Sequence, residues 1–291
     1  SLGRLLLPNF FVIGAGQSGT TSLHRYLYLH PEVHVPLLKE PNFFCAPEDG
    51  PWPFGRIAER SEYEELYAAS EPMRGDCSPS YSQHPLRGGV PGRIAELIPE
   101  ARHVYVVRDP IERIRAHYVH DVSSVGEERP LPDLLADLEN PMNPYVVGSS
   151  YATQLEQYRE HFPTDRILVV DSNDLHDHRG PTLAEIFAFL GVDPDFTSPG
   201  FDEEHNVGST KRGYAERYAA ARDSRLGEAW RRAVPDRLRR PVTNAVRRAS
   251  APSVERPAIE GRLRDALILK LTPEVERLRE LTGKKFESWS V

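Results

Sequence analysis

Apolar positions along the chain follow two rhythms. Short unbroken runs, NFFVIG at 9–14, RHVYVVR at 102–108 and RILVVD at 166–171, are rich in β-branched and aromatic residues and suit buried parallel strands. Each run gives way to helical spacing. TTSLHRYLYLHP follows the first and stops at Pro31, and the patterns at 110–122 and 181–190 follow the other two. SSYATQLEQYREHF, residues 149–162, is an amphipathic helix leading into the third strand. SEYEELYAAS opens with Ser61 and has Glu64 three residues on, a capping-box signature for a further helix. TPEVERLRELTGKKF reads as a terminal helix stopped by Gly283. Strands alternating with helices predict an α/β fold, a central parallel sheet flanked by helices. The Pro-broken stretch 223–257 reads as short helices and loops. The economical organisation is one domain over residues 1–291, with 203–257 as a mostly helical C-terminal lid or cover.

Composition narrows the class. At 291 residues with 39% hydrophobic and 27% charged content, the chain suits a single large globular domain. No run reaches the ~18 apolar residues that argue for a membrane helix, and the opening LGRLLLP lacks the charged start and cleavage site of an export signal. Cys45 and Cys77 are too few for a disulfide framework or a cysteine zinc site, which points to a reducing cytoplasm. The net charge of −7 argues against a nucleic-acid partner. Charge is uneven, however. Lys211 to Arg248 holds 12 basic and 4 acidic residues, about +8, an electropositive segment suited to an anionic ligand.

The chemistry concentrates in FFVIGAGQSGTT, residues 10–21. Gly14, Gly16 and Gly19 spell the dinucleotide fingerprint, but Glu40 between Lys39 and Pro41 is a poor end for the second strand that such a fold requires. Gly14 and Gly19 also fit a P-loop in which Thr20 has replaced the phosphate-binding Lys, and Asp171 is a weak Walker-B aspartate. A third reading is an anion nest. Backbone N–H groups of 17–21 open a helix whose positive end meets a phosphate, and the hydroxyls of Thr20, Thr21 and Ser22 add donors. HYVHD and HDH place His117, His120, His176 and His178 near acids, but the spacing brings no supporting carboxylate set, and no metal is expected.

RDPIERIRAHY at 108–118, with GAGQSGTTSL at 14–23, KEPNFF at 39–44 and HNVGSTKRGY at 205–214, resembles the sulfotransferases that use 3′-phosphoadenosine 5′-phosphosulfate (PAPS). The likeness is to the bacterial and heparan-sulfate-type branch. It runs in order over roughly 9–215 and resumes in LRELTGKKFESW. The resemblance implies a P-loop-like sheet and transfer of a sulfuryl group to a hydroxyl or amine of a small molecule or glycan, leaving adenosine 3′,5′-bisphosphate (PAP). It implies that Gln17, Ser18, Gly19, Thr20, Thr21 and Ser22 hold the 5′-phosphosulfate and that Arg108 grips the 3′-phosphate. Lys211 and Arg212 add basic groups from a later loop. It assigns the catalytic base to Glu40, with Lys39 beside it, and makes Asp76 a second acid for the acceptor site. Three positions depart from the family. Gln17 stands where a lysine is usual, Ala116 where a serine is usual, and Cys77 where the glycan-modifying relatives carry a lysine that bacterial relatives often lack. The alternative that Gln17 and Ala116 favour is a sulfotransferase-fold nucleotide-binding protein with little or no transfer. A P-loop kinase is a third reading.

Overall fold

The computed structural model describes residues 7–50, 52, 55–202 and 254–291. Five parallel strands form one sheet: β1 (Phe10–Gly14), β2 (Val33–His34), β3 (Met73–Cys77), β4 (Arg102–Val107) and β5 (Ile167–Asp171), in the order β2-β3-β1-β4-β5. Alternate residues of the central strands enter different cores, because successive side chains point to opposite faces. Phe11 and Ile13 join Tyr105 and Val107 on one side, whereas Phe10 and Val12 join Val104 and Val106 on the other. All of β1 is buried, as a strand covered on both faces must be.

Among the described residues the helices are α1 (Thr20–Leu29), α2 (Arg60–Glu65), α3 (Val90–Leu97), α4 (Pro110–His120), α5 (Leu131–Leu134) and α6 (Pro144–Val147). They continue as α7 (Tyr151–Arg159), α8 (Ser172–Asp177), α9 (Arg179–Leu190) and α10 (Gly261–Thr282). None is long and apolar enough to cross a membrane.

The three predicted strands are β1, β4 and β5. β2 and β3 are additions. β2 is two residues long, and MRGDC in β3 has too few apolar residues to show a strand rhythm. Gly75 sits there because a Cβ would fall 2.1 Å from the Phe10 ring. The Ser61 capping box is corrected. α2 starts one residue earlier after Glu59, with no side-chain cap, and Glu64 instead takes a 2.7 Å ion pair from Arg60 one turn back. α10 begins well before Thr272 and runs through Pro273. Its buried stripe packs Leu267 and Leu271 against Ile111 and Ile114 of α4 and Val275 and Leu278 into the core with Phe11 and Tyr105, and Gly283 at φ 69° ends it as expected. The predicted cover lies outside the described residues from 203 to 253, and Lys211 and Arg212 with it.

Candidate active site

Parallel strands put their carboxyl ends on one edge, and the chain leaves β1 and β4 toward opposite sides of the sheet, which opens a crevice there. The glycine loop fills it. Gly14, at φ 152°, has no room for a side chain, since a Cβ would lie 1.9 Å from Ser82 Oγ. The Ala15 N–H donates to Val106 O at 2.5 Å and extends the ladder to β4. Gln17 then turns left-handed at φ 69°, a conformation that side chains other than glycine rarely adopt. Gly19, at φ 94°, is the N-cap of α1, so the N–H groups of the first helical residues have no partner inside the helix. One amide of the expected nest is committed elsewhere, since Ser18 N–H donates to Ala15 O at 3.2 Å. Ser18 is buried, with its hydroxyl beside that of Tyr151. Thr20 is buried, and Thr21 and Ser22 are half-buried.

Arg108 follows β4 and reaches back to this loop, donating from Nη1 to Gln17 O at 3.2 Å. Its own carbonyl accepts the Tyr151 hydroxyl at 2.7 Å. The next residue, Asp109, caps α4 by accepting from Ile111 N and Glu112 N at 2.9 and 3.0 Å, which fixes the strand-to-helix turn. Burial lowers the Arg108 pKa, and the charge of Arg256 lowers it further. The neighbouring Glu112 and Asp109 carboxylates oppose that shift. Arg256, bound to Glu112 at 3.2 Å, was not foreseen from sequence.

Lys39 and Glu40 form an ion pair with side chains 19% and 33% exposed. Glu40 sits at φ 64° and Asn42 at φ 54°. Asn42 is the clamp for this turn. Its Nδ2 donates to Glu40 O at 2.8 Å and to Gly55 O at 3.4 Å, its Oδ1 accepts from Ser80, and its N–H donates to Ser78 Oγ at 3.3 Å. Ser78 in turn donates to Asp76 at 2.6 Å, and the Asp76 carboxylate also accepts the hydroxyls of Tyr63 and Tyr81, both at 2.8 Å. Asp76 is wholly buried. Burial pushes its pKa up to about 6 against the pull of the three hydroxyls. It is therefore no second acid for an acceptor. It is the buried end of the network that holds Glu40, and only its place at the end of β3 reveals this.

Asp171 is no Walker-B acid either. It caps α8 through Asn173 N at 2.9 Å and accepts Trp289 Nε1 at 2.9 Å. Ser290 N–H donates to Asp109, so the closing FESWSV docks on the carboxyl edge of the sheet. Among the described residues no group of three His, Cys, Asp or Glu is placed to hold a metal ion. His117 lies between Arg113 and Asp121, and Ala116 half-buried beside it on α4. Arg113 was also missed. Its signal was a cation on the inward stripe of a helix, among Pro110, Ile111 and Ile114.

A parallel strand, a glycine loop and a helix N-terminus, with an arginine from the adjacent strand beside them, make a P-loop-like fold. Residues 7–206 match the sulfotransferase domain family, and the chain belongs to it. PAPS dependence is the norm of that family. Human bifunctional heparan sulfate N-deacetylase/N-sulfotransferase 2 is 25% identical over 213 residues, covering 65% of this chain and 22% of that protein. Human heparan sulfate glucosamine 3-O-sulfotransferase 3B1 is 26% identical over 204 residues, 68% of this chain and 50% of that protein. The chain thus spans about a fifth of the length of the first and half of the second. The crystal structure of a sulfotransferase from Alicyclobacillus acidocaldarius shares the fold, with a TM-score of 0.70 at 24% identity over 98% of this chain and 99% of that one.

Proposed function

We propose that this chain transfers a sulfuryl group from PAPS to a hydroxyl or amine of a small-molecule or glycan acceptor, acting as a single domain and leaving PAP. The observation that carries this reading is the bond from Arg108 to the loop's own Gln17 carbonyl. It sets a guanidinium beside a helix N-terminus, two anion positions within reach of one nucleotide. On this reading the phosphosulfate lies on residues 17–22 and the 3′-phosphate on Arg108, with Arg256 nearby. Glu40 takes the acceptor's proton as the acceptor oxygen or nitrogen bonds to sulfur and the bond from sulfur to the 5′-phosphate oxygen breaks. Lys39 pairs with that carboxylate and orients it. The heparan sulfate acceptors in the relatives' names support a glycan among the candidates.

Incubation with PAPS and an acceptor library tests the reading by mass spectrometry, through a gain of one SO₃ unit on an acceptor. Glu40→Gln keeps the size of the side chain but cannot accept the proton. We expect turnover to fall at least about 100-fold while PAP affinity stays within a few-fold. Turnover that survives the substitution would move the base elsewhere. Tight PAP binding with no product across the library would favour the non-catalytic reading that Gln17 and Ala116 invite.

A further inference from the structure

Arg113 is 1% exposed, and the partners of its guanidinium are neutral. Nε donates to Ser149 Oγ at 2.7 Å, Nη2 to Tyr145 O at 2.7 Å and toward His117 Nδ1 at 3.3 Å, and Nη1 to Gly16 O at 3.5 Å. Among the described residues no carboxylate pairs with it directly. Asp121 is one ring away, 3.5 Å from His117 Nε2, and it accepts the Tyr145 hydroxyl at 2.7 Å. The chain makes room for this charge, since a Cβ on Gly148 would lie 2.4 Å from Nη1.

A buried charge with no carboxylate in direct contact, its nearest one acting only across the His117 ring, is a costly arrangement in a fold, and well-packed apolar residues are generally no worse for stability. A guanidinium does not escape the cost by losing its proton. A costly cation kept against a ligand loop points to the ligand as its counter-ion. The loop also lacks the charge that a lysine at position 17 would bring. The Gly16 carbonyl and the Gln17 N–H belong to one planar peptide unit and point opposite ways. The Arg113 bond to that carbonyl therefore turns the Gln17 N–H away from the guanidinium.

We propose that Arg113 is the internal cation of the 5′-phosphosulfate site, holding the glycine loop through Gly16 and supplying from behind it the positive charge that Gln17 lacks. It is a positioning residue, acting through the loop and through its field in a poorly screened interior. The proposal rests on the nucleotide reading above.

The two halves of the nucleotide separate its effects. Calorimetry with adenosine 5′-phosphate and adenosine 3′-phosphate is run on the unchanged chain, Arg113→Gln, Arg113→Lys and Arg108→Ala. Arg113→Gln is expected to weaken the 5′-phosphate about tenfold or more and the 3′-phosphate less than about twofold, with Arg108→Ala reversing the pattern. Arg113→Lys, which keeps the charge, is expected to hold 5′-phosphate affinity within about threefold. Equal losses on both nucleotides would mark a purely structural role and overturn the proposal, as would no loss on either, or a Lys variant as weak as the Gln variant. If circular dichroism shows Arg113→Gln unfolded, the Lys variant decides alone, and a loss of about tenfold on the 5′-phosphate overturns the charge argument. An unchanged chain that binds neither these nucleotides nor PAP would sink the nucleotide reading itself. Binding that is indifferent to Arg113 sinks only this proposal.

Discussion

Gln17 carries two properties that its neighbours separate. Its carbonyl is fixed by Arg108 and its backbone is left-handed, so the side chain leaves the loop in a defined direction. A left-handed turn costs any residue with a Cβ roughly 1–2 kcal/mol, and Gln and Lys bear it alike. Gln17→Lys therefore changes charge without changing backbone strain. On the proposed reading a cation there would meet the oxygen that gathers charge as sulfur departs, and such an interaction acts on rate more than on binding. Turnover should rise about tenfold, near 1.4 kcal/mol of barrier, with the PAPS dissociation constant moving much less. Steady-state kinetics beside calorimetry separate the two. A fall in turnover would mean that the site is built around the neutral amide and does not use a cation at position 17.

The turn over residues 39–42 shows what one element asks of its support. Glu40 and Asn42 are both left-handed, and the Asn42 side chain closes the turn onto Glu40 O, Gly55 O and Ser80. Asn42→Ala removes these bonds and keeps the strained φ, whereas Asn42→Gly removes the same bonds and relieves it. The alanine variant should be the less stable by about 1 kcal/mol in urea unfolding. Both should lose turnover, because the Glu40 carbonyl is no longer held. Equal stabilities would show that the turn relaxes and the conformation is not strained. The loop after β1 was legible in sequence because its glycines mark a tight strand-to-helix turn, whereas Arg108 was singled out by the family resemblance and not by any property of the strand it follows. The Asp76 network was not. Its members come from β3, α2 and two turns, and MRGDC carries no apolar rhythm to show that β3 is a buried strand. The first turns of α10 were also hidden, since Pro273 reads as a helix start and only packing carries the helix through it.

Across the whole molecule the sheet separates a wet carboxyl edge from a dry interior, and two buried groups in the interior respond to pH with opposite sign. His103 on β4 is fully buried, stacked on Phe11 at 5.6 Å and flanked by Tyr158 and Phe162. Burial lowers its pKa from 6.5 to about 3, so between those values the unfolded chain binds a proton that the native chain does not. Stability from this group is present above pH 6.5 and is lost as pH falls toward 3. Asp76 runs the other way. Its folded pKa of about 6 stands above the ordinary 3.8, so its contribution is present below that value and is lost as pH rises through 6. Between about pH 4 and 6 the two offset each other. His103→Phe keeps a flat ring in the same aromatic setting and removes one of them. The variant should then gain stability relative to the parent as pH is lowered from 7 to 5, leaving the Asp76 slope exposed. Thermal melts of both proteins at pH 5, 6 and 7 measure the difference. A constant gap in Tm across that range would mean that His103 takes up its proton in the folded chain as readily as in the unfolded one.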